Sequence, residues 1–264
     1  MRMAITRAVS EALARCELTH VVRAPIDLER ARAQHAAYEA RLAALGCEVV
    51  RLPAEPTMPD AVFVEDAAVV LAEVGIVARP GAAPRRAEIY TIAPALEPYR
   101  TLVEIQPPAT LDGGDVLVVD RMIFVGRSTR TNDAGRAQLT GAVAPFGYDV
   151  RPVNVRGCLH LKSAVTDVGA GRLLLNRDWV DAGAFGDFEL VDVDPAEPFA
   201  ANALRVGDTV IHPEPFARTR ARLEQRGVRV EPVDLSELAK AEGGVTCCSL
   251  IFDPVARAES RRAP

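Results

Sequence analysis

The strongest candidate for chemistry is a pair of adjacent cysteines near the end of the chain, in EGGVTCCSLIF. Gly243 and Gly244 precede the pair and would let a substrate approach the backbone closely. A cysteine at the start of a strand acts as a nucleophile once it is a thiolate, whereas two buried core cysteines are the alternative. Because side chains alternate along a strand, Cys247 and Cys248 should point in opposite directions. At most one of them therefore faces a pocket.

His160 is the candidate proton carrier and lies between two leucines in GCLHLKSAVT. The ordinary pKa of histidine is close to neutral, which suits a general acid or base. The alternative is a histidine that is hydrogen-bonded within the core of an apolar strand. Together with a cysteine, His160 indicates nucleophilic catalysis in which protons must be moved.

Three acidic residues, Asp60, Glu65 and Asp66, are close together in PDAVFVEDAAVV. On a strand, Asp60 and Asp66 would share one face and Glu65 the other, unless the strand bends or bulges. Apolar residues on both sides of Glu65 and Asp66 favour burial, and buried carboxylates need a cation or donors. A guanidinium ligand offers five donors in a planar fork, which matches two carboxylates. A solvated strand end is the alternative.

A second acidic segment, LDGGDVL at residues 111–117, contains paired glycines that permit unusual backbone angles or close approach by a ligand. An ordinary turn before a hairpin would also explain it. Arg85 and Arg86 in RPGAAPRRAE, and Arg130 in GRSTRTN, follow predicted hairpins. They are either surface ion-pair partners or a bidentate clamp for a substrate carboxylate.

These polar positions recur with a nearly constant period along the chain. Each unit has one polar residue near its first strand, and successive residues of this set are 49, 45, 42 and 45 positions apart. These repeat residues are Asp66, Asp115, His160, Asn202 and Cys247. Such a period is typical of a propeller or an array. Each unit also contains a helix, which favours a closed ring of five strand–strand–helix–strand units. In such a ring equivalent positions converge on the axis, where distant side chains could meet.

The elements predicted around these residues support the repeat. Alternating apolar residues around turn signals predict hairpins at Ala61–Ala78, Asp115–Gly126, Leu161–Asn176 and Ala203–His212. Apolar residues at helical spacing, with end signals, predict helices at Leu28–Leu45, Thr131–Ala144 and Pro215–Arg226. The strands that follow these helices have similar sequences, CEVVRLP, YDVRPV and VRVEPV.

Composition limits the class of protein. The chain has 264 residues, of which 49% are hydrophobic and 25% charged, so intrinsic disorder is excluded and one large domain fits. Apolar runs are too short for a membrane span, and Arg7, Glu11 and Arg15 interrupt any signal-like segment. A net charge of −5 gives no indication of a nucleic-acid surface. We therefore expect a cytoplasmic protein that binds neither nucleic acid nor membrane.

Cysteine and histidine spacing argues against a structural metal site. The five cysteines include no C-x-x-C pair, and the four histidines show no H-x₃-H spacing. The scattered Cys16, Cys47 and Cys158 are expected to be buried free thiols.

Taken together, the segments resemble dimethylarginine dimethylaminohydrolase, of the guanidine-modifying or pentein superfamily. The matching stretches occur in the family's order between residues 59 and 250 and are PDAVFVED, ARPGAAPRRAE, LDGGDVL, FVGRSTRTN, LHLKSAVT and GGVTCCSL. The FVED form, rather than the deiminases' form with Arg before the Asp, points to this branch. The resemblance implies an α/β fold, a five-bladed α/β propeller (pentein fold) with pseudo-five-fold ββαβ repeats. It agrees with a single catalytic domain over residues 1–264.

The resemblance also implies a role for each matching residue. Cys247 corresponds to the nucleophile and His160 to the general acid/base. Substrate contacts correspond as follows: Glu65 and Asp66 for the guanidinium, Asp60 and the backbone carbonyls of Leu18 and Ala241 for the α-amino group, Arg85 and Arg130 for the α-carboxylate, and Asp112 as a further acidic pocket residue. Position 241 is Ala where relatives often carry a larger aliphatic, and the expected mobile lid near Leu18 matches poorly.

The implied reaction is hydrolysis of Nω-methylated arginine to citrulline and methylamine or dimethylamine, through a covalent thiouronium on Cys247. A small-molecule substrate is the implied partner, with no metal or organic cofactor, and the chain is expected to be a monomer or homodimer.

Two alternatives remain. One is a sister enzyme such as a deiminase acting on free arginine. The other is a non-catalytic binder, since the same propeller occurs in a ribosome anti-association factor, but a binder has no need for the cysteine, the histidine and the paired acids.

Overall fold

The computed structural model describes residues 1–254. In chain order, the strands of this part are β1 (Arg2–Arg7), β2 (Cys47–Leu52), β3 (Ala68–Val70), β4 (Val74–Val77), β5 (Thr101–Glu104), β6 (Val116–Val119), β7 (Met122–Arg127), β8 (Asp149–Asn154), β9 (Val165–Gly169), β10 (Arg172–Leu175), β11 (Glu189–Asp192), β12 (Leu204–Val206), β13 (Thr209–Pro213), β14 (Arg229–Val233) and β15 (Leu250–Phe252). The helices are α1 (Leu28–Ala44), α2 (Ile89–Leu96), α3 (Asp133–Val143), α4 (Leu161–Ala164), α5 (Ala217–Glu224) and α6 (Ser236–Ala239).

The strands form five three-stranded sheets with one shared topology. In each sheet an antiparallel pair of strands is followed by a third strand that pairs in parallel, as β3, β4 and β5 do. The connection between the second and third strands is an α-helix in four sheets and a 3₁₀ turn at Ala182–Phe185 in the sheet of β9–β11. This arrangement confirms the predicted five ββαβ units.

The ring is closed by the two ends of the described chain. Strand β15 pairs antiparallel with β1, with Met3 opposite Phe252 and Ile5 opposite Leu250. Five apolar clusters fill the space between neighbouring sheets. One of them joins β1 to the sheet of β12–β14, so the last sheet packs on the first. The residues predicted to converge are thereby brought to one axis.

The predicted helices are confirmed with small changes at their ends. Leu28–Leu45 corresponds to α1, which begins after Asp27, whose side chain accepts a hydrogen bond from the Arg30 amide. Thr131–Ala144 corresponds to α3, where Asn132 accepts from the amide of Gly135. Carboxylate and amide oxygens at this position satisfy amides that have no partner within the helix. Pro215–Arg226 corresponds to α5.

Two of the predicted hairpins begin too early. The hairpin of 61–78 starts only at β3, because residues 60–67 form turns and a 3₁₀ helix at Val64–Ala67. The hairpin of 161–176 starts at β9, after the short helix α4. Asp60, Glu65 and Asp66 therefore do not alternate along a strand, and His160 is not a strand residue.

The two hairpins begin later than predicted because the backbone is crowded where the sheets begin. At Gly113, an added Cβ atom would lie 1.9 Å from the backbone carbonyl oxygen of Glu65. Two backbone segments from neighbouring sheets therefore touch directly, which leaves no room for continued strands. Each repeat residue lies between one and five positions before the first strand of its sheet, at a turn near the axis.

The cysteine pair also lies outside a strand. Residues 245–248 form a turn that ends before β15. The predicted strand alternation therefore does not apply to Cys247 and Cys248. Cys16, Cys47 and Cys158 are buried free thiols, as predicted.

No helix within residues 1–254 is both long and apolar enough to cross a membrane. The prediction of one catalytic domain over 1–264 includes residues 255–264, which lie outside the described residues.

Candidate active site

Three of the five repeat residues, Asp66, His160 and Cys247, meet at a small cavity of about 10 Å³. Its walls include seven of the ten residues assigned from the sequence, namely Asp60, Asp66, Arg85, Arg130, His160, Ala241 and Cys247. The remaining wall residues are Glu17, Phe63, Leu159 and Glu242. Leu18, Glu65 and Asp112 do not line this cavity, but each contacts or adjoins a residue that does.

The His160 imidazole lies between two carboxylates. Its Nε2 is 3.0 Å from Asp112 Oδ2, and its Nδ1 is 3.6 Å from Asp66 Oδ1. Burial alone would lower the pKa of His160, but the charge of Asp66 and the hydrogen bond to Asp112 outweigh it and raise this pKa to about 9. His160 is therefore an imidazolium at neutral pH, ready to act as a general acid.

Backbone contacts hold His160 in this place. The amide of Leu161 donates to Asp115 Oδ1 at 2.9 Å, which fixes the chain directly after the histidine. Gly114 lies against the ring, and a Cβ atom there would be 2.6 Å from His160 Nδ1. Glycine at position 114 is thus required by the close packing of the imidazole. Burial raises the pKa of Asp115 to about 6.

Asp66 is an anchored anion. It accepts hydrogen bonds from Arg85 Nη1 at 2.6 Å and from the amide of Gly114 at 3.0 Å. Burial opposes ionisation, but the positive charges of His160 and Arg85 lower the pKa of Asp66 to about 2. This carboxylate stays charged throughout the physiological range.

Cys247 is the cysteine of the pair that reaches the cavity. Its Sγ accepts a hydrogen bond from the amide of Gly244 at 3.3 Å, and its side chain is partly exposed. Burial, followed by the negative charges of Glu65 and Asp66, raises the pKa of its thiol. The Cys247 thiol is therefore protonated at neutral pH in the free protein.

Cys248 has a different environment. It is fully buried in the apolar cluster that contains Tyr38 and Leu42, and its Sγ lies 3.6 Å from the Gly244 carbonyl oxygen. Burial raises the pKa of this thiol as well. A buried thiol of this kind is chemically inert.

Glu65 has partners that the sequence analysis did not identify. Its Oε1 accepts from Lys162 Nζ at 2.6 Å, and its Oε2 accepts from the Thr246 hydroxyl at 2.7 Å. Lys162 follows His160 by two residues, and Thr246 immediately precedes Cys247. Both lie within motifs that the sequence analysis had singled out, but nothing in the sequence pairs them with Glu65.

The two arginines assigned to the carboxylate clamp differ in their contacts. Arg85 is buried, and all three of its guanidinium nitrogens are engaged, chiefly by both oxygens of Glu88 and by Asp66. Arg130 donates from Nη2 to Thr19 Oγ1 at 3.1 Å, whereas its buried Nη1 has no partner within residues 1–254. A buried, unsatisfied donor in the cavity wall is the feature expected of a ligand contact.

Asp66, Asp112 and His160 present ligand atoms within 4.8 Å of one another, and such a set could hold a metal ion. The surrounding charge opposes a cation, because Arg85 is bound to Asp66 and His160 is itself positively charged at neutral pH. The arrangement favours proton transfer over metal chemistry.

Comparison with known proteins identifies close relatives over nearly the whole chain. No family model matches. N(G),N(G)-dimethylarginine dimethylaminohydrolase of Streptomyces coelicolor is 38% identical over 251 residues, which cover 94% of this chain and 96% of the relative. The protein of the same name from Pseudomonas aeruginosa is 35% identical over 228 residues, covering 86% and 90% of the two chains.

Solved structures agree with this result. The Pseudomonas aeruginosa enzyme, as a mutant complexed with citrulline, is 32% identical with a TM-score of 0.91, over 95% of this chain and 98% of that one. An adduct of dimethylarginine dimethylaminohydrolase with S-methyl-L-thiocitrulline gives a TM-score of 0.90 at 31% identity, over 95% and 99%. The N-terminal domain of the cyanobacterial arginine dihydrolase ArgZ, at 19% identity and a TM-score of 0.85 over 96% and 98%, shares the fold.

Proposed function

The chain belongs to the dimethylarginine dimethylaminohydrolase family, and on that premise we propose that it hydrolyses Nω-methylated arginines to citrulline and methylamine or dimethylamine. The observation that carries the proposal is the placement of a thiol and an imidazolium at one buried cavity between anionic side chains. Negative walls bind the guanidinium, the thiol attacks it, and the imidazolium protonates the leaving amine.

Binding is proposed to use both ends of the substrate. Asp66 and Glu65 are proposed to hold the guanidinium, since both carboxylates are close enough to Cys247 to raise the pKa of its thiol. Arg130 and Arg85 form the proposed α-carboxylate clamp, with the unpaired Nη1 of Arg130 as its available donor. The α-amino group is assigned to Asp60 and to the carbonyls of Leu18 and Ala241.

Substrate binding would itself activate the nucleophile. The charges of Glu65 and Asp66 raise the pKa of the Cys247 thiol in the free protein. A bound guanidinium cation compensates these charges, and the thiol pKa falls. Cys247 then loses its proton to solvent and becomes a thiolate only when substrate is present.

The chemical steps then follow from the proton on His160. The Cys247 thiolate attacks the central guanidinium carbon, and its sulfur–carbon bond forms. His160 gives its proton to the departing amine as that carbon–nitrogen bond breaks, which leaves a thiouronium on sulfur. Neutral His160 then removes one proton from the attacking water, whose oxygen bonds to the thiouronium carbon. The carbon–sulfur bond breaks to restore the thiolate, the second proton passes from that oxygen to solvent, and citrulline leaves.

Asp112 and Asp66 serve this cycle by stabilising the imidazolium form, which is present before the first step and is restored in the second. The 3.0 Å contact from Asp112 to Nε2 orients the ring.

We further propose that the protein is cytoplasmic, acts as a monomer or homodimer, and binds neither nucleic acid nor membrane.

The test is citrulline release from asymmetric dimethylarginine, monomethylarginine, free arginine and agmatine, measured side by side. Methylated arginines are expected to be the preferred substrates. Preferred release of ammonia from unmodified arginine would instead identify a deiminase and contradict the proposal.

Substitutions within the cysteine pair provide the matched control. Cys247→Ser should abolish turnover, because the hydroxyl is a far weaker nucleophile, and should leave the fold intact. Cys248→Ser should retain most activity, since Cys248 is buried in the apolar cluster away from the cavity. Alkylation of Cys248 by a haloacetamidine reagent, with Cys247 left unmodified, would show that the nucleophile is misassigned.

A further inference from the structure

One carboxylate fastens the loop that closes the cavity. Glu242 Oε2 accepts a hydrogen bond from the amide of Thr19 at 2.8 Å, and its Oε1 accepts from the amides of His20 and Val21 at 2.5 and 2.9 Å. Three consecutive backbone donors thus converge on one side chain more than 220 residues away in sequence. Contacts between a carboxylate and backbone amides are among the stronger hydrogen bonds in proteins.

These contacts determine the position of Leu18. The amide of Glu17, on one side of it, donates to Asp60 Oδ2 at 3.1 Å. The amide of Thr19, on the other side, donates to Glu242. The Leu18 carbonyl, which is assigned to the substrate's α-amino group, shares one planar peptide unit with the Thr19 amide, so the contact to Glu242 sets its orientation.

The backbone of Glu242 indicates that its side chain is needed there. Its φ angle is +59°, in the left-handed region that glycine normally occupies after a helix. The amide of Gly243 bonds back to the carbonyl of Leu238, as in a common helix ending after α6. The strained position directly follows Ala241, so one short segment supplies both a proposed substrate contact and the fastening of the opposite loop.

We expect the loop to open when a substrate enters the small cavity. The cavity of about 10 Å³ has room for little more than one water molecule, and Glu17 is part of its wall. Residues 16–27, which follow a 3₁₀ turn at Leu13–Arg15, contain no helix or strand, and Thr19 and His20 are exposed. Opening would break the three contacts to Glu242 and the contact of Thr19 to Arg130. The loop is therefore held closed by a few contacts that can be broken and remade.

We propose that Glu242 is a positioning residue that fastens residues 17–21 over the bound substrate and sets the Leu18 carbonyl against its α-amino group. The identity of that substrate rests on the proposed function. The fastening of the loop does not, because it is seen in the contacts of the free protein.

The experiment compares backbone amide hydrogen exchange in the wild-type protein and in Glu242→Gly. Glycine removes the carboxylate but suits the left-handed backbone, so the fold should be retained. Exchange at Thr19, His20 and Val21 should accelerate by about ten-fold or more, with the sheets unaffected. Asp120→Gly is the matched control, since Asp120 has a φ of +52° at the remote turn between β6 and β7. It should leave exchange in the loop unchanged.

Kinetics provide a second, independent measurement. Glu242→Gly should raise KM for methylated arginine by about ten-fold, with a smaller effect on kcat, because a loop contact acts mainly on binding. Glu242→Gln, which keeps one acceptor oxygen, should lie between the two. Unchanged loop exchange in Glu242→Gly would overturn the inference even in a fully active enzyme. Conversely, a wild-type protein inactive on methylated arginines would refute the proposed function while leaving the exchange result to decide the role of Glu242.

Discussion

The protonation of His160 is set by the anions around it. Asp66 lies 3.6 Å from Nδ1 and Asp112 lies 3.0 Å from Nε2, and the pKa of His160 rises to about 9. The other two buried histidines, His35 and His212, show the opposite behaviour, because burial lowers their pKa values to about 4. Carboxylate neighbours, rather than burial as such, therefore make His160 the cationic histidine of the core.

Asp66→Asn should lower the pKa of His160 from about 9 towards the ordinary value, by more than about one unit. The largest charge that favours the imidazolium is lost, while the shape of the side chain is kept. A titration of the histidine ring protons by NMR measures this change. Asp167→Asn, which removes a carboxylate paired with Arg205, is the control and should leave the His160 titration in place. An unchanged His160 pKa in Asp66→Asn would contradict this electrostatic account.

The two clamp arginines should respond differently to removal. Arg130→Ala should raise KM for methylated arginine by about ten-fold or more with little change in kcat, because the carboxylate contact is the same in ground and transition states. Towards methylated agmatine, which lacks the carboxylate, the same variant should lose little. Arg85→Ala should lower kcat for both substrates, since Arg85 holds Asp66 at 2.6 Å. Steady-state kinetics on both substrates decide the matter, and equal losses in Arg130→Ala would exclude Arg130 from the clamp.

At the scale of elements, the site depends on where neighbouring sheets begin. The turns before β3 and β6 cross at Gly113, whose missing side chain lets the two backbones touch. Glu65 and Asp66 lie on one of these turns and Asp112 on the other. The close crossing therefore sets the spacing between the acids and His160.

Gly113→Ala should destabilise the protein by about 3 kcal/mol or more, because the new Cβ would lie 1.9 Å from the Glu65 carbonyl oxygen and backbone must move. Activity should fall with it, since Glu65 is displaced. Gly141→Ala is the matched control. Gly141 lies within α3 with nothing within 4 Å of the added carbon, and the change should be neutral or stabilising by about 0.5–1 kcal/mol. Urea denaturation measures the stability of both variants. Similar stabilities would show that the backbones do not pass closely at Gly113.

At the scale of the whole molecule, closure of the ring makes each sheet depend on two neighbours. Every one of the five apolar clusters contains residues from two adjacent sheets. Titration of a group buried in one blade should therefore affect global unfolding. His212 in β13 is such a group, with Nε2 donating to the Ala200 carbonyl at 2.9 Å.

The pKa of His212 is about 4 when folded, below its ordinary value of 6.5. The unfolded chain therefore binds the proton more readily, and the stabilisation present above pH 6.5 is lost as pH falls towards 4. His212→Gln removes this dependence while keeping a donor for Ala200. The variant should be less stable at pH 7, and its difference from wild type should shrink by about 3 kcal/mol by pH 4. Urea denaturation across this pH range is the measurement, and a pH-independent difference would contradict the assignment.

The sequence by itself was sufficient for the repeat and the chemistry. Hairpins, helices and the strands after them follow from local apolar spacing and end signals, which depend on neighbouring residues only. α1 and α3 were predicted almost to their ends. The period of the polar residues was enough to predict five units. The residue types of Cys247, His160 and the paired acids, within matching motifs, indicated attack on a guanidinium.

Tertiary structure alone decided how those residues are held. The acids, His160 and the cysteines lie on turns because the backbones of neighbouring sheets touch at the axis, which local spacing cannot show. Glu88 at Arg85 completes an ion cluster with Asp66. Lys162 binds Glu65, which lies 97 positions away in the sequence, and Glu242 binds loop amides that lie more than 220 positions away. The contacts of Lys162 and Glu242 form only when the ring closes, since they join segments of different blades.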